Sequence, residues 1–203
     1  GDADSMLAGY SRSYPSAFTP ILNTIGKSKG IKRVSATNLM LTKQGPLFLS
    51  DTSLNINPNA EQLANEIDKV WDKDINEKFV VFTGGEPLLQ LDKPLVDLLH
   101  KKKFKVAIET NGTILPPENI DWICVSPKQG ADFNLKYGNE LKLVYPQKGL
   151  EPKNFKHLDF DHFFLQPMDG KDLQRNILQS VSYCIENPLW RLSLQTHKIM
   201  GID

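Results

Sequence analysis

The sequence predicts an α/β fold in which a mostly parallel sheet curves into an open, incomplete barrel. Three observations predict it. Short apolar strand patterns alternate with helical ones from about residue 57 onward, the order that gives parallel strands joined by crossovers. The interval between the strands over 104–108 and 122–125 holds Pro116-Pro117 and is too short for a full helix, so some crossovers are abbreviated and a closed barrel is not expected. Five strands also end, on their C-terminal side, in glycine, proline and hydrogen-bonding residues.

Each element follows from local pattern. Residues 1–30 lack any strand or helix period and are expected to form an irregular arm ahead of one domain over 31–203. Asn57-Pro58-Asn59 can cap a helix with Leu63, Ile67, Val70 and Trp71 on its apolar face. Phe79–Phe82 is a short buried strand ending in Thr83-Gly84-Gly85-Glu86-Pro87. A helix follows over 93–102, with Leu95, Val96, Leu98 and Leu99 apolar. The next strand, 104–108, ends in Glu109-Thr110-Asn111-Gly112. Trp122–Val125 ends in Ser126-Pro127-Lys128, and 140–144 alternates until Pro146. Phe163–Leu165 leads into Gln166-Pro167-Met168-Asp169-Gly170. Residues 172–186 form a helix, and a last strand over 190–194 ends in Gln195-Thr196-His197.

Composition excludes several classes. The 203 residues carry 24 Lys plus Arg against 24 Asp plus Glu, and a neutral balance argues against a general nucleic-acid or anionic-membrane binder. No apolar run reaches the roughly 18–20 residues of a spanning helix, and the first thirty residues lack a signal-peptide pattern, so the expected address is cytoplasmic. Two cysteines, Cys124 and Cys184, cannot build a disulfide scaffold or a cysteine-rich zinc site. There is no Gly-x-Ser-x-Gly elbow, Walker loop or His-Glu-x-x-His helix. Gly26-Lys27-Ser28 matches only the tail of a Walker motif, and His100, His157 and His162 show no metal-ligand spacing.

The strand endings carry the functional signal. In parallel α/β sheets these ends lie on one side, where ligands bind. One such ending is an ordinary turn; five in succession predict a polar pocket. Gly84 and Gly85 let a ligand approach the backbone. Glu86 can receive a cationic ligand group or complement a helix N-terminus. Asn111 before Gly112 reads as a turn residue, and Lys128 as either a ligand cation or a solvated one. His197 reads equally as an acid–base group or a structural histidine.

Thr83-Gly84-Gly85-Glu86-Pro87 resembles the glycine-rich S-adenosylmethionine motif of radical S-adenosylmethionine enzymes. Together with Glu109-Thr110-Asn111-Gly112, Ser126-Pro127-Lys128, Gln166-Pro167-Met168-Asp169 and residues 190–198, it makes the chain resemble the 7-carboxy-7-deazaguanine synthases over about residues 50–203. The resemblance implies a modified, incomplete barrel of the radical S-adenosylmethionine type. It implies conversion of 6-carboxy-5,6,7,8-tetrahydropterin to 7-carboxy-7-deazaguanine in queuosine biosynthesis, with S-adenosylmethionine, a [4Fe–4S] cluster and Mg²⁺. A flavodoxin or ferredoxin reductant and a homodimer are implied as well.

Residue by residue, the resemblance assigns Gly84, Gly85, Glu86, Ser126, Pro127, Lys128, Gln166, Pro167, Met168 and Asp169 to S-adenosylmethionine. It assigns Arg33, Thr83, Glu109, Asn111, His197 and the terminal Asp203 to the substrate, and Thr52 to Mg²⁺. The family's three cluster cysteines correspond to Thr37, Leu47 and Ser50 here, and none of these replaces a thiolate. Two readings follow: an enzyme of this type, or a non-catalytic homologue that binds S-adenosylmethionine or a pterin and acts as an interaction module.

Overall fold

A computed structural model describes residues 59–71 and 76–196, together with the backbone of two strands, β1 (Ala36–Thr42) and β2 (Gly45–Asp51). These two strands pair as a sheet of their own. The chain divides into two compact units, Gly1–Asn38 with Ser50–Pro58, and Leu39–Leu49 with Asn59–Asp203. The arm expected over 1–30 lies outside the described residues. All further elements belong to the second unit.

The first of these is helix α1 (Ala60–Val70), closed at its start by a reciprocal capping box. The Asn59 side chain accepts from the Gln62 amide at 2.8 Å, and the Gln62 side chain accepts from the Asn59 amide at 3.2 Å. That pairing satisfies two of the backbone donors a helix start leaves open. Ala64, Ile67 and Trp71 turn inward. Helix α2 (Lys93–Lys101) starts at Asp92, whose carboxylate accepts from the Leu95 amide at 3.0 Å. Its residues Leu95, Val96 and Leu99 are buried. Helix α3 (Leu173–Glu186) completes the helical layer.

Six strands form the main sheet: β3 (Lys78–Phe82), β4 (Phe104–Thr110), β5 (Trp122–Val125), β6 (Tyr137–Tyr145), β7 (Asp159–Pro167) and β8 (Trp190–Leu192). They lie side by side in chain order and every pair is parallel. The sheet is open, with β3 and β8 at its edges, as expected of an incomplete barrel. Several strand bounds differ from expectation. β6 and β7 extend well beyond the expected 140–144 and 163–165, because they pair with each other from Tyr137 and Asp159 through Tyr145 and Pro167. β4 runs on through Glu109 and Thr110, because these pair with Cys124 and Val125. β8 stops at Leu192; the Ser193 amide still donates to the Leu165 carbonyl at 2.8 Å before the chain leaves the sheet. The short link between β4 and β5 is fastened by Asp121, whose carboxylate accepts from the Val106 amide at 2.7 Å and bonds His100 at 2.8 Å.

Alternation assigns the two faces of this sheet opposite jobs. On one face Val80, Val106, Ile108, Ile123, Val125, Leu141, Leu143, Phe163, Leu165 and Trp190 are buried, and the register lines them up strand by strand: Val80 opposite Val106, Ile108 opposite Ile123, Leu143 opposite Leu165. Helix α2 packs on β4, and α3 on β7 and β8. The other face carries Val81, Glu109, Cys124, Lys142, Val144 and Gln166, set between the core positions of the same strands. That face is where the polar residues gather.

Candidate functional site

A cavity of about 620 Å³ opens on the polar face at the C-terminal ends of the strands. It is lined by Val81, Thr83, Gly84 and Gly85 from β3 and its exit, and by Glu109, Thr110 and Asn111 from β4. Cys124, Ser126 and Lys128 come from β5 and its exit, and Lys142 and Val144 from β6. Gln166 from β7 and Ser193, Leu194 and Gln195 after β8 complete it. Five strands and the segment after β8 therefore contribute, and the expectation of a pocket at the strand tips holds.

The geometry begins at the glycine turn. Gly84 has φ +109°, a left-handed conformation that favours glycine, and a Cβ built at Gly84 or Gly85 would meet no atom within 4 Å. The backbone here faces open space, so a ligand can lie directly against it. Of the two roles read for Glu86, the structure shows the one at a helix start, where it caps the short 3₁₀ turn Pro87–Leu89. Its carboxylate accepts from the Leu88 amide at 3.1 Å, the Thr110 hydroxyl at 2.7 Å and the Asn111 amide at 2.9 Å. It is absent from the cavity lining and ties the glycine turn to the end of β4.

Glu109 occupies the cavity floor. Its Oε2 accepts from the Thr83 hydroxyl at 3.1 Å, and its Oε1 lies 3.5 Å from the Lys142 ammonium. Asn111 lines the cavity and also makes a turn, since its side-chain oxygen accepts from the Thr113 amide at 2.9 Å. Gly112 supports that turn with φ +78° and little room for a side chain: a Cβ would lie 2.8 Å from Phe133 and from Val125. Lys128 reaches the Ser126 hydroxyl at 3.4 Å. Pro127 between them is fully buried and holds the two polar residues at the rim. Of the Gln166–Asp169 segment only Gln166 lines the cavity; Pro167 is buried. The Met168 backbone is pinned from both sides, its amide donating to the Tyr145 carbonyl and its carbonyl accepting from Asn176, each at 2.8 Å.

Sequence reasoning missed Lys142 and Cys124. The signal for Lys142 was present, because a lysine between two leucines in an alternating strand points away from the core. Burial works against the Lys142 charge, yet the Glu109 and Glu140 carboxylates around it favour the ammonium, and its pKa stands above the usual lysine range. Burial pushes the Cys124 thiol up to about 12, with Glu140 and Glu109 adding to the shift and Lys142 opposing it.

Four assigned residues, Arg33, Thr52, His197 and Asp203, lie outside the described residues. Thr37 falls in β1, and Leu47 and Ser50 in β2. No group of three or more His, Cys, Asp or Glu side chains able to hold a metal occurs among the described residues.

An open parallel sheet with a polar cavity at its C-terminal edge defines an α/β protein of the partial-barrel class. A 7-carboxy-7-deazaguanine synthase of Bordetella pertussis is 55% identical over 144 residues, which cover 71% of this chain and 69% of that protein. The 7-carboxy-7-deazaguanine synthase of Bradyrhizobium diazoefficiens is 50% identical with the same coverage. The crystal structure of QueE from Escherichia coli superposes with a TM-score of 0.54 at 29% identity, over 68% of this chain and 64% of that one. The chain belongs to the 7-carboxy-7-deazaguanine synthase family.

The N-terminal segment points elsewhere. A family model described as phosphate acetyl/butaryl transferase matches residues 1–69. Arg33, Thr37, Leu47, Ser50 and Thr52 all fall inside that stretch, and the first three precede residues 50–203, over which the chain resembles the synthases.

Proposed function

We propose that the cavity holds S-adenosylmethionine beside a 6-carboxy-tetrahydropterin, as the ligand-binding body of a 7-carboxy-7-deazaguanine synthase. One observation carries this reading: the strand-end segments that resemble the family converge on a single cavity. In it, Gly84 and Gly85 offer bare backbone to S-adenosylmethionine, while Ser126, Lys128 and Gln166 supply side-chain donors and acceptors from the opposite rim. Glu86, Pro127, Pro167, Met168 and Asp169 support these contacts through the turns that carry them. Thr83, Glu109 and Asn111 face the pterin, and Arg33, His197 and Asp203 join it from outside the described residues. Mg²⁺ at Thr52, a flavodoxin or ferredoxin reductant, a homodimer and a cytoplasmic address belong to the same reading.

The donor set does not fit a [4Fe–4S] cluster. Such a cluster in this enzyme class needs three thiolates, and the chain has two cysteines. Cys124 sits in β5 with its thiol pushed up to about 12 by burial. Cys184, on α3, is shifted upward by burial as well. Two thiols on separate elements fall one ligand short of that set. This observation favours the second reading for the chain as it stands, a homologue that binds the ligands and leaves the radical step undone.

Two measurements test the proposal. Isothermal titration calorimetry of the full chain with S-adenosylmethionine is expected to give one saturable site; no binding would overturn it. Anaerobic reconstitution with iron and sulfide is expected to leave the protein without cluster absorbance. Stable incorporation of about four irons per chain would reinstate the radical reading.

A further inference from the structure

The floor of the cavity contains a charged pair that the fold itself makes costly. β6 lies inside the sheet, with β5 on one side and β7 on the other. Lys142 sits between Leu141 and Leu143, both fully buried on the opposite face, and its own side chain is 23% exposed. A cation on an interior strand loses much of its hydration and needs a fixed partner. That partner is Glu109, on β4, two strands away. The contact spans β5 at Cys124, which pairs with Glu109 in one direction and with Glu140 in the other. The small thiol leaves room for the lysine to cross diagonally.

Glu109 is anchored from two sides, by Thr83 on Oε2 and by Lys142 on Oε1. A carboxylate has about four lone-pair sites, so two remain, and its side chain is 49% exposed toward the cavity. We propose that Lys142 is a positioning residue of this site: it fixes the Glu109 carboxylate on the cavity floor so that its remaining acceptor sites meet the N–H groups of a bound ring. A reduced pterin carries such donors on its amino group and ring nitrogens. The inference rests on the proposed pterin site and adds to it the residue that sets its acceptor.

Calorimetric titration of the full chain, under anaerobic conditions, with 6-carboxy-5,6,7,8-tetrahydropterin and separately with S-adenosylmethionine tests it. Lys142→Met is expected to weaken pterin binding by at least about tenfold, the scale of a charged hydrogen bond, while S-adenosylmethionine binding changes little. Lys142→Arg, which keeps the cation, is expected to recover most of the loss. Glu109→Gln is expected to weaken the pterin by a similar factor, and the Lys142→Met, Glu109→Gln double variant to be no weaker than Glu109→Gln alone. A purely structural lysine would give a lower melting temperature with unchanged pterin affinity, and that result would overturn the inference. Should Lys142→Met not fold, undiminished pterin binding by Glu109→Gln overturns it equally. A wild-type chain that binds S-adenosylmethionine but no pterin removes the pterin reading and the inference with it, whereas equal pterin binding by wild type and Lys142→Met removes the inference alone.

Discussion

The carboxylate of Glu86 accepts the Thr110 hydroxyl at 2.7 Å across 24 positions of sequence. With the Leu88 and Asn111 amides also on Glu86, this one side chain joins the exit of β3 to the exit of β4. The two turns that flank the cavity are therefore tied to each other through this carboxylate. Glu86→Gln keeps the shape but presents an amide N–H to a protein donor. A loss of about 2 kcal/mol in unfolding free energy is expected, read from chemical denaturation, together with weaker S-adenosylmethionine binding. Unchanged stability would show that the junction does not depend on this carboxylate.

Gly112→Ala meets two separate penalties. The residue has φ +78°, and the new Cβ would press on Phe133 and Val125 at 2.8 Å. Since the Gly112 carbonyl also accepts from the Asn134 and Leu135 amides, the loop cannot shift without losing bonds. Destabilisation of at least about 2 kcal/mol is expected, measured as a fall in melting temperature. Gly130→Ala, with φ +78° but no atom near its Cβ, is the control and should cost less.

Cys124 makes stability depend on pH at the alkaline end. Its thiol is held protonated to about 12 in the fold, against 9.0 for an ordinary cysteine. A raised pKa means that the contribution is complete below pH 9 and declines as pH rises from there towards 12. Between pH 8 and pH 10 the wild type is expected to lose roughly 1.4 kcal/mol more than Cys124→Ala, measured by urea unfolding at both pH values. Parallel pH slopes for the two proteins would contradict the assignment.

Asn176 is buried on α3 and donates to the Met168 carbonyl at 2.8 Å. It holds the Gln166–Asp169 turn against the helix layer. Asn176→Leu leaves that carbonyl without its partner, and a cost of about 1–3 kcal/mol is expected. Calorimetry should show weaker S-adenosylmethionine binding as well, since Gln166 at the cavity wall precedes the released turn.

Much of this architecture is legible in the sequence because its causes are local. The apolar spacing of Leu95, Val96 and Leu99 places α2, and Asp92 supplies its cap. Trp122–Val125 is bounded as a strand by its own residues. The polar strand endings identify the pocket, because parallel strands must present them on one side. Lys142 and Glu86 were the harder cases. Alternation alone tells which face Lys142 occupies; that Glu109 waits there, two strands away, depends on the register of β4, β5 and β6. Glu86, in a glycine-rich turn, reads equally as a ligand contact or a helix-start carboxylate, and its bonds to Thr110 and Asn111 appear only when β4 is brought beside it.

The sequence by itself determined the α/β class, the family resemblance and the shortage of thiolates, since each is a property of residue type, order or number. Only the tertiary structure decided which polar residues share the cavity and which are consumed in supporting it. A carboxylate such as Glu86 or Glu109 can serve either purpose. The choice is made by long-range pairing across parallel strands, which brings partners from distant parts of the chain within hydrogen-bonding reach.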